Sequence, residues 1–210
     1  MALYVEPYEI REWMHIGDDK YTDEFLIELI EMKMDYVNRL TATAWNGEVV
    51  VSEEYHDITR PKYGFWVFRL GYPIYLDKMY IKQVLEFKLF DGGKWVDILQ
   101  EMEEGREKGY WIDYINGVVY LNRFMWPIGG REIYIKYEAG RDDLPGYIKE
   151  LTLLLCVRDL LINERTMFQL AEGASGLNIN EQLRRIDERI SSLEEMVRAV
   201  RIGTTSVSII

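Results

Sequence analysis

Cysteine is almost missing from this chain: Cys156 is the only one in 210 residues. That excludes an internal disulfide and a zinc knuckle, and its setting in TLLLCVRDLLI predicts a small, buried apolar side chain. Histidine is nearly as scarce. His15 and His56 stand far apart, with no second ligand at a spacing such as H-x-x-x-H, so no metal site is predicted. No window of about eighteen apolar residues occurs, and the stretch MALYVEPYEIREW carries acids where a secretory signal needs basic residues. Neither a membrane span nor secretion by that route is predicted. Positive charge is in deficit, with 25 Lys and Arg against 36 Asp and Glu and a formal charge of -11. A surface built to grip phosphates is not expected from that balance.

The motifs of common catalysts are also missing. There is no G-x-S-x-G, no P-loop and no dinucleotide fingerprint, and the glycines of WPIGGREI precede a strand, whereas a phosphate cradle needs a helix N-terminus there. The acid pairs Asp18-Asp19 and Asp142-Asp143 each lie in a turn before a helix, where capping explains them. No catalytic residue and no cofactor are predicted, and an enzyme is not the expectation.

What the chain does have is enough apolar residue, 48%, to build a core, with 29% charged residues to keep it in solution. The pattern predicts an α+β protein in one domain: helical parts at 1–47 and 144–202, a β-rich insertion at 48–140, and an uncharged tail at 203–210. A short helix near Pro7 to Met14 precedes the polar turn GDDKYTDEF, where Thr22 is the candidate N-cap of a second helix. From Leu26 onward Leu29, Ile30, Val37, Leu40 and Ala44 recur at helical spacing, up to a stop before Asn46-Gly47. Short β-rich runs follow: VVVSEEYH, GFWVFRL, YIKQVLEFKLF, KWVDI, YWIDYI, VVYLNRF and EIYIKYEA. Asn116-Gly117 predicts a two-residue type I′ hairpin, and Asp91-Gly92-Gly93 a second hairpin turn. LQEMEEGREKG between them reads as a solvated loop or short exposed helix. Pro145, preceded by Asp142 and Asp143, suits the first turn of an apolar, central helix.

The last helical stretch is different in kind. Ile179, Leu183, Ile186, Ile190, Leu193, Val197 and Val200 are spaced 4-3-4-3-4-3, the 3.5-residue average of a coiled-coil seam. Such a seam requires a partner helix, which is either the segment from Thr22 to Ala44 or the same helix of a neighbouring subunit; the spacing does not choose. GTTSVSII follows, without a charged side chain, and a segment of that composition is an aggregation hazard unless it is covered. Trp66, Trp95, Trp111 and Trp126 all fall in the β-rich part. They are read as core and interface residues, with stacking on sugars or bases as the other use.

Three stretches together resemble a known family. YEIREWMHIGDDKYTDEFLIELIEMKMDYVNRLT is similar to the short helix, acidic turn and longer helix that open the head–tail connector (adaptor or head-completion) proteins of tailed viruses. FRLGYPIYLDKMYIKQV, with Leu70, Pro73, Ile74 and Val84, resembles that family's apolar strand, Pro-Ile step and Val-containing strand. IKYEAGRDDLPGYIKE, with Tyr137, Ala139, Gly140, Pro145, Ile148 and Lys149, resembles a strand ending in Tyr-x-Ala-Gly that passes through a polar turn into a Pro-initiated helix. The family core is often smaller and more helical, so the long β-rich insertion and the clean heptads depart from it.

The resemblance implies a structural virion protein at the head–tail neck, assembled in the host cytoplasm. About a dozen copies would stand as a ring under the portal protein, extending the DNA channel during capsid completion and tail attachment. Its partners would be itself, the portal and a downstream neck or tail protein, with DNA as passing cargo. On that reading the seam from Ile179 to Val200 lies between subunits, and Val207, Ile209 and Ile210 dock the tail into the portal. The alternative is an oligomeric ligand-binding module that uses the aromatic β-rich region.

Overall fold

A computed structural model of the chain describes residues 2–57, 72–91, 93–122, 132–169 and 176–206, and side chains for these except at 72, 91, 132, 165–169, 176–178 and 199–206. The fold class is α+β, helices together with antiparallel sheets. The chain divides into two compact units: a helical one from Met1–Thr41, Trp45–Gly47 and Asp142–Ile210, and a β-rich one from Ala42–Ala44 and Glu48–Arg141.

Among the described residues four helices make the helical unit. α1 (Pro7–Met14) starts on a proline, whose missing N–H is harmless in a first turn, and the Glu6 N–H donates to Glu9 Oε2 at 3.0 Å. α2 (Asp23–Thr41) is capped as its sequence predicts: Thr22 Oγ1 accepts from the Phe25 N–H at 3.3 Å. It ends earlier than the expected stop at Asn46-Gly47. Ala42 takes the left-handed conformation (φ 54°) that terminates the helix, and Trp45, buried beyond it, donates its indole N–H to Thr41 Oγ1 at 3.1 Å. Ala44 is buried as its periodicity suggested, but outside the helix.

The apolar helix, here called α4 because a short α3 precedes it, spans Gly146–Gln169. Pro145 stands one residue before it, its carbonyl accepting from the N–H groups of Ile148 (3.0 Å) and Lys149 (3.2 Å). Ile148, Leu151, Leu154, Leu155, Cys156, Val157, Leu160 and Leu161 are all buried. α5 runs Gly176–Ser206, so the first half of the uncharged GTTSVSII stretch continues the helix instead of leaving it as tail.

The heptad seam packs against α4 and α2 of the same chain. Leu183, Ile186, Ile190, Leu193 and Val197 are buried in the helical core, and Ile179 packs half-buried at its rim. The five buried side chains from Leu183 to Val197 therefore offer little surface to a neighbouring subunit, whereas Ile179 stays half-buried. The side chain of Val200, and Val207, Ile209 and Ile210 altogether, lie outside the described residues, as do Trp66, Trp126 and the GFWVFRL strand. Burial of the five described seam residues contributes on the order of 10 kcal/mol to the unit. Ion pairs set the register around it: Arg189 to Glu150 at 2.7 and 2.9 Å, Arg158 to Asp187 at 2.6 Å, and Lys149 to Glu9 at 2.7 Å. Each such exposed pair adds only about 0.2–1 kcal/mol, so they orient more than they stabilise.

In the β-rich unit, β1 (Val50–Asp57), β7 (Glu132–Ala139), β3 (Ile81–Asp91) and β4 (Lys94–Asp97) form one antiparallel sheet in the order β1-β7-β3-β4. β2 (Tyr72–Tyr75), β6 (Val118–Leu121) and β5 (Tyr110–Asp113) form a second, in the order β2-β6-β5. Phe87, Leu89, Ile133, Ile135 and Tyr137 from the first and Ile74, Ile112, Val119 and Leu121 from the second share one core. LQEM begins a helical turn, α3 (Ile98–Glu101), which Asp97 caps by accepting from the Leu99 N–H at 3.1 Å.

Asp91 pairs with Lys94 around Gly93 (φ 96°), so that hairpin turns where expected. The other does not have the predicted two-residue loop. Asp113 pairs with Val118, which leaves four loop residues, and only Gly117 among Asn116-Gly117 has positive φ (63°). Asp113 holds the loop, since its Oδ1 accepts from the Asn116 N–H at 3.1 Å and its Oδ2 from the Asn116 side-chain amide at 2.7 Å, bonds that span three residues of the four-residue loop.

Leu193 is 2% exposed within this chain, so Leu193→Ala should lower the free energy of unfolding by about 3 kcal/mol. Because the seam closes internally, urea titrations at widely different protein concentrations should give the same loss. A loss that fades on dilution would show that the seam is closed by another copy.

Candidate functional site

No group of three or more His, Cys, Asp or Glu that could hold a metal occurs among the described residues. Cys156 is fully buried in α4, and that burial pushes its thiol up to about 12, which leaves it unreactive at neutral pH. Asp18 stands 3.7 Å from Arg11, and Arg11 also holds Asp23 at 2.5 Å at the start of α2, so the acids of the first turn serve the helix ends. Asp143 lends its carbonyl to the Asn46 N–H at 3.3 Å in the connection before α4.

A groove of about 780 Å³ runs along α4 and α5, open to solvent and lined by Arg158, Ile162, Leu183, Arg184, Asp187 and Ser191, among others. Its cations are engaged. Arg158 pairs with Asp187, and Arg184 with Glu181 at 2.8 Å and Glu188 at 2.5 Å. Hydrogen bonds from Arg184 and Arg185 hold the Glu181 carboxyl down to about 2. The groove is a salt-bridged helix surface rather than a cleft of converging free groups.

Among the described residues a buried ionisable cluster lies in the β-rich unit, and sequence reasoning passed over it. Glu54 occupies an inward position of β1, between Ser52 and His56, and its side chain is 7% exposed. Both carboxylate oxygens accept from the Asp77 N–H, at 3.0 and 3.1 Å; the Tyr137 hydroxyl of β7 donates to Oε1, and His56 Nε2 lies 2.9 Å from Oε2. Tyr137 in turn accepts from the Lys78 N–H at 3.1 Å. Burial acts to raise the Glu54 pKa, but the hydrogen bonds from His56, Tyr137 and the Asp77 backbone outweigh it and hold the carboxyl below its usual value. Burial and the adjoining carboxylate push the Tyr137 hydroxyl upward, so it remains a donor. The available signal was strand alternation, which sends residues 52, 54 and 56 to one face.

This cluster is a clamp. It ties Asp77 and Lys78, between β2 and β3, to the centre of the four-stranded sheet. The same connection meets the β5–β6 loop, where Leu76 N–H donates to the Gly117 carbonyl at 2.8 Å and Ile81 N–H to the Tyr114 carbonyl at 2.7 Å.

The opposite face of that sheet carries aromatic and charged side chains. Tyr55, 70% exposed, lies 5.0 Å from Tyr134 and 6.4 Å from Trp95, which in turn meets Phe90 at 5.3 Å between ring centres. Lys136 bonds Glu53 at 2.6 Å, and Lys88 pairs with Glu86 on the same face. Trp111 is not part of it: Tyr120 stacks on one side at 4.8 Å and Arg106 lies 4.7 Å from its ring centre.

The segment behind the family resemblance is wholly described from Glu132's strand to α4. β7 ends at Ala139, Gly140 donates its N–H to the Tyr80 carbonyl at 3.0 Å, and a polar turn leads through Pro145 into α4. Only glycine fits at 140, because a Cβ there would stand 2.2 Å from the Glu48 carbonyl oxygen. No protein-family model matches the chain, and no curated protein matches it. Among solved structures it is similar to a chain in the neck of an empty gene transfer agent particle, at 16% identity and TM-score 0.47, covering 76% of this chain and 80% of that one. It is similar also to a chain in the virion of the native gene transfer agent particle, at 17% identity and TM-score 0.47, covering 76% and 81%. The overlap is partial in both, and no function is carried over from it.

Glu54→Gln keeps the shape of the clamp but turns an amide N–H toward donors, and should cost about 2 kcal/mol at neutral pH. A carboxyl held low stabilises the fold above its unfolded value of about 4.5 and loses that contribution as pH falls through the folded value. Urea unfolding at pH 7 and pH 3 should therefore show the gap between wild type and Glu54→Gln closing in acid, and an unchanged gap would remove Glu54 as the ionised centre of the clamp.

Proposed function

We propose that the chain is a structural component of the neck of a tailed, virus-like particle: an adaptor whose copies stand as a ring under the portal and continue its DNA channel. What carries the reading is the stretch from Tyr137 to Lys149. Its sequence resembles the connector family, and it adopts the strand, glycine turn and Pro-preceded helix that the resemblance implies. α1, its acidic turn and α2 follow the family order as well. The activity is mechanical, so binding surfaces matter and a reactive centre does not. The acidic balance suits a channel that DNA passes without sticking.

In this reading the exposed faces of α5 and α2 meet neighbouring copies, because the seam itself is occupied. Val207, Ile209 and Ile210, uncharged and just beyond α5, dock into the portal. The number of copies, about a dozen, comes from the family resemblance alone.

A second reading has one observation in its favour, the exposed cluster of Tyr55, Tyr134 and Trp95 on the four-stranded sheet, which could stack on a saccharide. It predicts glycan-array binding that Trp95→Ala abolishes.

The neck reading is tested by incubating the full chain with the portal ring of the same particle and imaging by electron microscopy. Stacked rings are expected, and deletion of residues 207–210 should abolish co-migration with the portal. Portal docking unaffected by that deletion would overturn the tail assignment, and no docking by the intact chain would overturn the neck reading.

A further inference from the structure

α2 buries Leu26, Ile30, Met34 and Val37, yet its outward face is far from uniformly polar. Phe25, Met32 and Tyr36 form an exposed row at i, i+7 and i+11, with Met32 60% exposed, and Tyr21 extends the row by stacking on Phe25 at 5.6 Å. Beside it runs a second row, Glu24, Glu28 and Glu31, exposed and without an ion-pair partner among the described residues. Carboxylates repeated at i+3 and i+4 repel one another and weaken a lone helix. Aromatic and Met side chains at the centre of a patch with charge along its border are the composition of a docking surface.

The occupant has to bring apolar side chains and unneutralised cations together. Among the described residues the arginines of the helical unit are already engaged: Arg158 with Asp187, Arg184 and Arg185 with Glu181, Arg189 with Glu150, and Arg198 with Glu194. One stretch of the sequence has the complementary composition. ITRPKYGFWVFRLG, residues 58–71, holds Arg60, Lys62 and Arg69 and no acid, interspersed with Tyr63, Phe65, Trp66 and Phe68.

We infer that the acidic, aromatic face of α2 binds the basic, aromatic 58–71 segment of a second copy of this chain. The contact joins two different patches, so it is heterologous, the kind that propagates from copy to copy and closes into a ring. The inference rests on the reading of the chain as a ring-forming subunit and names the surfaces that would do the joining. The aromatic residues of that segment match the exposed Met32 and Tyr36 in character, and its cations match Glu28 and Glu31 in charge. Charges of this kind steer encounter and reject mismatched partners more than they add affinity, and salt should weaken the contact.

The test is charge exchange in the full-length protein, followed by sedimentation velocity at low salt over rising concentration. Glu28 and Glu31 are chosen over Glu24 because a cation in the first turn would disturb the helix itself. Glu28→Lys with Glu31→Lys, or Arg60→Glu with Lys62→Glu, should each weaken self-association about tenfold. The four substitutions together should restore it, with thermal melts by circular dichroism unchanged throughout. A combined variant as weak as either parent, or a wild type that never associates, overturns the inference. Association that follows this pattern in a chain that ignores portal rings would leave the inference standing and remove the neck reading instead.

Discussion

The helical unit depends on one burial event, the closing of the α5 seam against α4 and α2. α5 is rich in charged residues on every face but one, and an isolated helix of that kind is marginal in water. α4 is the opposite case, apolar around most of its circumference and unable to face solvent. Each supplies what the other lacks. The short α1 and the long α2 then complete the cover, with Tyr4 from the chain before α1 donating to Asn38 Oδ1 of α2 at 2.6 Å and accepting from the Trp45 N–H at 2.8 Å. With the ridge spent internally, what the helical unit presents outward is polar and mixed, the outward row of α2 included.

The β-rich unit solves a different problem. Its two sheets are small, and one of them has strands of only four residues, so connections have to be fixed by more than ladder hydrogen bonds. Glu54 does this from inside the larger sheet by gathering the Asp77 N–H, the Tyr137 hydroxyl and His56, and Gly117 and Gly140 allow other connections to approach closer than a Cβ permits. A buried carboxylate tolerates this position because the Asp77 N–H and the Tyr137 hydroxyl donate to it and His56 lies against it.

Much of this was legible from sequence where a local cause suffices. Thr22, Pro7 and Pro145 marked helix starts because capping and a fixed φ are decided within a turn. Register of the Asn116-Gly117 hairpin was misread because a side chain three residues earlier, Asp113, competes for the same backbone. The early end of α2 was hidden because a left-handed alanine at 42 follows from the packing of Trp45, not from its own preference. The seam was visible as a period, but a period does not say which helix fills it; α4, apolar all round, concealed its role as the main partner. Glu54 was passed over, since a charge at an inward strand position has meaning only once its donors are known.

Among the described residues the helical unit has a core closed around the seam, the β-rich unit a clamped connection, and α2 an outward face of mixed chemistry. The account stands or falls on α5 being held by its own chain. Hydrogen exchange read by mass spectrometry, on protein dilute enough to be monomeric, tests this directly. The amides from Leu183 to Val197 should be protected to the same extent as those of α4 from Leu151 to Leu161. Rapid exchange along α5 in the monomer, slowed only when copies associate, would contradict it.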